Sequence, residues 1–160
     1  MHKPNGGPAR PSRRVDKVKN RLLQLPPAVL SGQQKERTTD DFESLSKKVI
    51  GQGAFATVWP VRHKVTRERY AVKLIKKMTI TQYGLLESIE QEVKIMYKLR
   101  DEHVIRLYDH FEDDHKVYLL LEYASNGTLY DQICKEGQLS PAKAAKYLRE
   151  VIQAVRCLQA

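Results

Sequence analysis

Two glycines and a lysine are the residues of this chain whose types and spacing could do chemistry. The stretch VIGQGAFATV at 49–58 contains Gly51 and Gly53 with one residue between them. YAVKLIKK begins twelve positions after Val58, with Lys73 inside an apolar run. Glycines let backbone amides approach a triphosphate without an intervening side chain, and the small Ala54 and Ala56 keep the turn compact. A glycine pair alone is more often an ordinary turn, so this prediction of a phosphate cradle depends on further residues.

Glu92 supplies the second part of the pattern. Strand alternation makes Lys73 the only charge in a two-sided apolar run. When residues 85–99 are placed at helical steps of 100°, Glu92 falls inside the apolar arc rather than on the polar face. That arc consists of Leu85, Leu86, Ile89, Val93, Met96 and Leu99. A buried carboxylate costs several kcal/mol unless a cation meets it, so we predict a buried Lys73–Glu92 ion pair. Taken singly, a snorkelling lysine and a solvated glutamate would be the ordinary interpretations.

The elements that must position these residues are five strands and several helices. The segments FESLSKKVIG, TVWPVRH, RYAVKLI, VIRLYDHFE and KVYLLLEY predict the strands, with one helix after the third and helices after the fifth. Five sequential strands with one inserted helix imply a mainly antiparallel sheet of the α+β class. Val58 and Ala71 would then lie on facing strands and form a flat apolar slot for a purine ring. Pro60 is expected at a bulge or an unpaired edge position.

Charge and proline separate the first forty residues from the rest. Residues 1–21 carry seven Lys or Arg and one Asp, a balance of +6 out of the net +9, and five of the seven prolines precede position 28. We predict a disordered basic arm and linker over 1–40, followed by one folded body over 41–160. The arm could contact an acidic partner such as a nucleic acid or a filament, or it could be a solvated tail.

Cysteine usage and hydropathy bound the cellular context. The two cysteines show no metal-ligand spacing, which favours reduced thiols in an intracellular protein. The chain has no run of 18 apolar residues and no apolar core at its N-terminus, so we expect neither a membrane span nor a secretory signal.

These motifs, in this order, resemble the small lobe of a eukaryotic protein kinase over residues 41–160. IGQGAFATV is similar to the glycine-rich loop with its third glycine replaced by Ala56, YAVK to the third-strand motif, and VYLLLEYA to the fifth strand and hinge. The resemblance implies a small lobe and hinge start over 41–124 and the first large-lobe helices over 125–160. Within the kinases the motifs look most like the Aurora and Polo groups of serine/threonine kinases.

The resemblance also assigns roles by position. Lys73 would hold the α and β phosphates of ATP and Glu92 would pair with it. Leu121 would gate the back pocket, and Met96 and Leu107 would belong to the regulatory spine. The residues implied to surround ATP are Ile50, Gly51, Gln52, Gly53, Ala54, Phe55, Ala56, Thr57, Val58, Ala71, Lys73, Leu121, Glu122, Tyr123 and Ala124, with backbone groups of the last three meeting adenine.

The sequence lacks the family's catalytic and metal-binding motifs. It contains no H-R-D motif and no D-F-G motif, so it offers no catalytic aspartate and no ligands for the Mg²⁺ that a complete kinase needs. We therefore expect an incomplete Ser/Thr kinase chain that is inactive on its own. Two alternatives stay open: a noncatalytic nucleotide-binding or scaffolding half-kinase, and a filament or nucleic-acid binder acting through the basic arm. The resemblance implies a location in cytoplasm or nucleus, with the centrosome or spindle as candidates.

The last helix is predicted to begin with Ser140 as its N-cap and Pro141 in the first turn. It carries an apolar stripe made of Leu148, Val151, Ile152, Val155 and Leu158. In the family that face is buried in the large lobe, so here it is expected to face water unless it binds another chain or folds back.

Overall fold

The structure of the chain, a computed structural model, describes residues 37–159. The predicted basic arm and most of the linker that follows it lie outside the described residues. The predicted contact between the arm and an acidic partner therefore stays a prediction.

One antiparallel sheet organises the described part of the chain. Its strands are β1 (Phe42–Ser44), β2 (Gly51–Gln52), β3 (Ala56–His63), β4 (Arg69–Lys76), β5 (Leu107–Glu112) and β6 (Lys116–Glu122). The order across the sheet is β1-β3-β4-β6-β5, and β2 pairs with β3 beside β1. The antiparallel α+β prediction is confirmed.

The first predicted strand is two short strands, so the sheet has six strands among the described residues rather than the predicted five. Around Ser46, between β1 and β2, local bonds replace ladder bonds: the Ser44 hydroxyl donates to the Ser46 carbonyl, and the Lys48 amide donates to the Ser46 hydroxyl. Such side-chain bonds compete with a ladder. Pro60 lies opposite this break, where its carbonyl still accepts from Leu45 and its missing N–H costs no ladder bond.

Two helices, rather than the predicted one, connect β4 to β5. The helices of the chain are α1 (Lys77–Tyr83), α2 (Leu86–Lys98), α3 (Leu129–Glu136) and α4 (Pro141–Leu158). Gly84, with φ of 64°, ends α1 in the left-handed region, and the amides of Gly84 and Leu85 both donate to the Ile80 carbonyl. This left-handed turn is the usual end of a helix, so the chain changes direction before α2 begins. The apolar period in the sequence predicts a helix only beyond Gly84, so it does not predict α1.

The two faces of the sheet bury two separate apolar clusters. The helix-side cluster contains Ile75, Ile80, Ile89, Val93, Leu107, Val117 and Leu119. The opposite cluster contains Val61, Tyr70, Val72, Tyr118 and Leu120. The alternation predicted for the third strand is confirmed, because Ile75 lies in the first cluster and Tyr70 and Val72 lie in the second. Met96 packs against the cluster that contains Leu107, as expected for the two spine positions.

Ordered contacts begin before the predicted boundary at Asp41. The Arg37 guanidinium lies 3.6 Å from the Asp109 carboxylate of β5, and the Thr38 amide donates to the Asp41 carboxylate at 2.8 Å. Burial raises the pKa of Asp109, against the opposing effects of the His110 amide and of Arg37. Residues 37–40, predicted as linker, therefore belong to the folded body.

Asp113 organises the turn between β5 and β6. Its carboxylate accepts from the amides of His115 and Lys116, at 2.7 Å each, and from the Tyr118 hydroxyl at 2.6 Å. Burial by itself would raise the pKa of Asp113, but these hydrogen bonds outweigh it and lower the pKa. The turn is thus stabilised by the ionised form of Asp113.

Acid should weaken this turn. Because the folded-state pKa of Asp113 lies below its ordinary value of 3.8, its contribution to stability is complete above that value and is lost as the pH falls below it. Such carboxylates titrate between roughly pH 5 and pH 2. Over this range, an Asp113→Asn variant should therefore lose less stability than the parent chain. Urea unfolding at several pH values measures this difference. Glu102→Gln, which removes a carboxylate from an 87% exposed side chain, is the control, and an equal effect of both variants would contradict the prediction.

The last two helices are joined by side-chain hydrogen bonds and leave an apolar face uncovered. Thr128 caps α3, and Ser140 caps α4 by accepting from the Lys143 amide at 3.3 Å, with Pro141 at the start as predicted. The Tyr147 hydroxyl donates to Gln132 and joins the two helices. The five stripe residues of α4 are between 46% and 62% exposed. Among the helices of residues 37–159, none combines the length and apolar character needed to cross a bilayer.

Candidate functional site

The predicted ion pair is present. The Lys73 ammonium on β4 donates to the Glu92 carboxylate on α2, with Nζ and Oε1 2.6 Å apart. Lys73 lies opposite Val58 of β3 and Leu119 of β6, so apolar neighbours flank the lysine stem on both sides. The pair therefore joins the centre of the sheet to the helix that covers it.

The pair is less buried than predicted. The Lys73 side chain is 25% exposed and the Glu92 side chain 38% exposed. The helical arc that faces the sheet is anchored by Ile89 and Val93, which are 5% and 0% exposed, and Glu92 lies at the edge of that arc rather than within it. A half-exposed pair contributes little to stability, so its value lies in fixing the position of the ammonium group.

Local structure explains why α2 holds Glu92 at this point. The left-handed turn at Gly84 separates α2 from α1, and Ile89 and Val93 then dock one helical turn apart on the sheet. Glu92 precedes Val93, so its carboxylate lies beside this apolar contact, where it reaches Lys73 on the central strand. The position of the glutamate thus follows from the packing of its apolar neighbours.

Val58 and Ala71 lie on neighbouring strands, as the slot prediction requires. Ala71 pairs with Pro60 on one side and with Leu121 on the other, and Val58 pairs with Lys73. Alternation places all of these side chains on the face that carries the ion pair. Ala71 is small and only 5% exposed. A flat apolar surface next to a fixed ammonium group suits a base joined to phosphates.

The glycine loop is a short turn between β2 and β3. The Gly53 amide donates to the Ala56 carbonyl at 2.9 Å, which closes the turn, and Phe55 at its tip is 43% exposed. Neither Gly51 nor Gly53 has a positive φ, and a Cβ at Gly53 would meet only the Ala56 carbonyl, at 3.9 Å. The backbone conformation therefore does not require glycine at 53. A ligand that approaches the backbone closely would require glycine there.

The other predicted loop residues lie in or beside the turn between β2 and β3. Ile50 donates its amide to the Val58 carbonyl, and Gln52 pairs with Thr57, so both arms of the turn are held in register. Ala54 is exposed between Gly53 and Phe55. The loop thus presents its tip next to the face that carries Lys73.

At the end of β6, one backbone amide of the predicted hinge is already occupied within the sheet. The Glu122 amide donates to the Arg106 carbonyl at 2.9 Å, so the sheet already occupies that group and it cannot also meet adenine. The strand ends at Glu122, and Tyr123 and Ala124 follow it outside regular structure. The backbone groups of Tyr123 and Ala124 and the Glu122 carbonyl remain the predicted contacts with the base.

Three polar or aromatic pairs were missed by reasoning from sequence. Lys77 and Glu112 form an ion pair at 3.0 Å with side chains only 2% and 5% exposed. The Tyr97 hydroxyl on α2 lies 2.6 Å from His110 on β5, and Phe55 meets Tyr83 across the loop. The spacing of Lys77 was a usable signal, because it continues the alternation of positions 71, 73 and 75. The other pairs join segments too distant in sequence for periodicity to relate them.

The described residues do not make a magnesium site by themselves. Within residues 37–159, no group of three or more His, Cys, Asp or Glu side chains stands close enough to hold a metal ion. The lysine, the glycine loop and the apolar slot fit a nucleotide, whereas the donor set for its usual metal partner is not among them. No step of chemistry is therefore assigned to a metal here.

Comparison with known proteins defines the class. Residues 44–160 match the family model described as protein kinase domain. Because this match covers most of the chain, the chain belongs to the protein kinase family. Protein kinases in general use ATP and Mg²⁺ and act on proteins.

Several serine/threonine kinases are similar to this chain. CBL-interacting protein kinase 11 of rice is 38% identical over 68% of the chain, and an Aurora kinase of Candida glabrata is 36% identical over 72%. The serine/threonine-protein kinase SIK2 of chicken is 36% identical over 68% of the chain. The chain spans only 22%, 32% and 14% of the lengths of these three relatives. The kinase family is thus shown, and relatives of different groups match at similar identity.

Proposed function

We propose that this chain is the nucleotide-binding lobe of an ATP-dependent serine/threonine protein kinase of the Aurora and Polo kind. The observation that carries the proposal is the 2.6 Å contact between Lys73 and Glu92, beside the glycine loop and the Ala71 slot. The quoted motifs resemble those two groups most, and an Aurora kinase is among the relatives. The reaction would be transfer of the ATP γ-phosphoryl group to a serine or threonine hydroxyl, inside the cell.

The residues present would bind and orient rather than complete the transfer. Lys73 would donate to the α and β phosphates, because its ammonium is held in position above the central strand by Glu92. The loop from Gly51 to Val58 would cover the phosphates with backbone amides. The catalytic base and the metal ligands of the family have no counterpart in this sequence, so a complete kinase would have to encode them beyond Ala160.

A titration and a sequencing experiment test the proposal together. Amide chemical shifts of the labelled chain should move at 51–58, 71–73 and 121–124 when ATP is added, and binding should saturate. Sequencing the transcript past the codon for Ala160 should read in frame into H-R-D and D-F-G. ATP that moves none of these amides would contradict nucleotide binding, and a stop codon after Ala160 would contradict the catalytic part.

The apolar stripe of α4 supports a second candidate, a noncatalytic half-kinase that binds nucleotide and a partner protein. All five stripe residues are at least 46% exposed. Monomeric soluble proteins rarely expose a contiguous apolar face of this kind. This candidate predicts the same ATP contacts and no in-frame catalytic motifs. The transcript therefore decides between the two.

Gly53 offers a direct test of the phosphate cradle. A Gly53→Val change should alter the unfolding free energy by no more than about 0.5 kcal/mol, because φ is not positive and only one atom lies within contact distance. It should weaken ATP binding several-fold, because a branched side chain would stand where phosphates approach the backbone. Adenosine, which lacks phosphates, should bind as before. Equal ATP affinity of both chains would show that the loop does not cover the phosphates.

A further inference from the structure

Two exposed aromatic rings connect the tip of the glycine loop to a helix outside the nucleotide slot. The Phe55 ring lies with its centroid 5.0 Å from that of Tyr83, at an interplanar angle of 51°. The two residues are 43% and 57% exposed, so burial in the core does not explain their contact. Tilted aromatic pairs at this separation attract one another beyond the apolar area they cover.

The loop end of this contact is a part that would otherwise be loosely held. The turn is closed by the bond from the Gly53 amide to the Ala56 carbonyl, and Phe55 projects from its tip. Glycine at 51 and 53 gives the backbone wide freedom. A ring contact at the tip therefore restricts the loop more than the same contact would restrict a regular strand.

The helix end of the contact is firmly attached to the element that carries Glu92. Tyr83 is the last residue of α1, whose Ile80 is fully buried. The next residue, Gly84, turns the chain directly into α2, and the Ile80 carbonyl accepts from the amides on both sides of that turn. The Tyr83 ring thus moves with the junction between α1 and α2.

We propose that Tyr83 is a positioning residue that holds the glycine loop through Phe55 and so couples the loop to the helix bearing Glu92. This inference rests on the proposed nucleotide site. The loop and the ion pair would be joined twice, once through the sheet at Val58 and Lys73 and once through the rings. Binding of ATP under the loop would accordingly favour the position of α2 in which Glu92 reaches Lys73.

Three single variants and one double variant test the role of Tyr83. Tyr83→Ala removes the ring, Tyr83→Phe keeps it, and Met78→Ala truncates a 75% exposed side chain on the same helix as a control. Without nucleotide, hydrogen exchange of the amides at 53–56 should become about two- to tenfold faster in Tyr83→Ala and stay unchanged in the other two. The Phe55→Ala/Tyr83→Ala double variant should exchange no faster than Tyr83→Ala, because the same ring contact is lost in both.

Binding measurements complete the test. Tyr83→Ala should weaken ATP by a similar two- to tenfold factor while adenosine binding stays the same, and Tyr83→Phe should restore ATP affinity. Unchanged loop exchange in Tyr83→Ala, or equal acceleration in Met78→Ala, would overturn the inference. If the parent chain binds no ATP but Tyr83→Ala still loosens the loop, the proposed function fails while the aromatic contact stands.

Discussion

Replacing Lys73 with methionine is expected to weaken ATP binding by about tenfold to a hundredfold, the usual range for losing a hydrogen bond to a charged group. Methionine keeps the apolar stem that lies between Val58 and Leu119, so packing in the sheet is preserved. What is lost is the ammonium that Glu92 holds at 2.6 Å. Because the pair is part-exposed, the unfolding free energy should change by less than about 1 kcal/mol.

Two controls make this result specific to phosphates. Lys94→Met removes another lysine of the same region, one that is 55% exposed and paired with Glu90, and should leave ATP affinity unchanged. Adenosine should bind both variants and the parent chain alike. The chain is expected to bind ATP weakly, so the shifts of the 51–58 amides are the suitable measurement. Equal loss of ATP and adenosine affinity in Lys73→Met would point to a disturbed sheet instead of a lost phosphate contact.

Replacing Glu112 with alanine is expected to lower the unfolding free energy by about 3–5 kcal/mol. The Glu112 carboxylate lies 3.0 Å from the Lys77 ammonium, and their side chains are 5% and 2% exposed. Removing the carboxylate leaves a positive charge out of water at the start of α1. Urea unfolding followed by circular dichroism measures the loss, which is a large share of the stability of an ordinary domain.

A double replacement separates the buried charge from the packing around it. The Lys77→Met/Glu112→Leu variant should recover most of the stability, since a buried ion pair replaced by apolar groups of similar volume is often neutral. Glu136→Ala, which breaks the exposed pair with Lys143, should change the unfolding free energy far less, because water screens this pair. If Glu112→Ala were as mild as Glu136→Ala, the Lys77 ammonium would have to be hydrated in solution.

Helix α1 connects the Lys77–Glu112 ion pair to the candidate site. Lys77 begins this helix and Tyr83 ends it, so the ion pair fixes one end against β5 while the other end meets the loop. The helix is only seven residues long, and isolated helices of that length are not stable in water. Its position near the nucleotide loop thus depends on buried contacts at Lys77 and Ile80.

The two functional hypotheses differ in what would cover the apolar face of α4. The kinase family model matches through residue 160, and the chain covers a third or less of each of the three relatives. In a longer kinase the stripe would be covered by the following part of the domain. In a half-kinase it would be open to a partner.

Sequence by itself determined the alternating face of Lys73, the helical position of Glu92, the glycine turn and the start of α4 at Ser140. Each of these depends on a short-range period or a cap, and such signals are complete within about ten residues. Their agreement with an antiparallel order of strands was enough to indicate the family.

Only the tertiary structure decided how these parts meet. It showed that Glu92 is half-exposed, that the Glu122 amide is occupied by Arg106, and that Lys77 is buried against Glu112. It also added the helix α1 before Gly84, ahead of the predicted helix, and brought Tyr83 to Phe55. These outcomes depend on contacts between segments far apart along the chain, and burial at such contacts is set by the packing of whole elements, which no local period encodes.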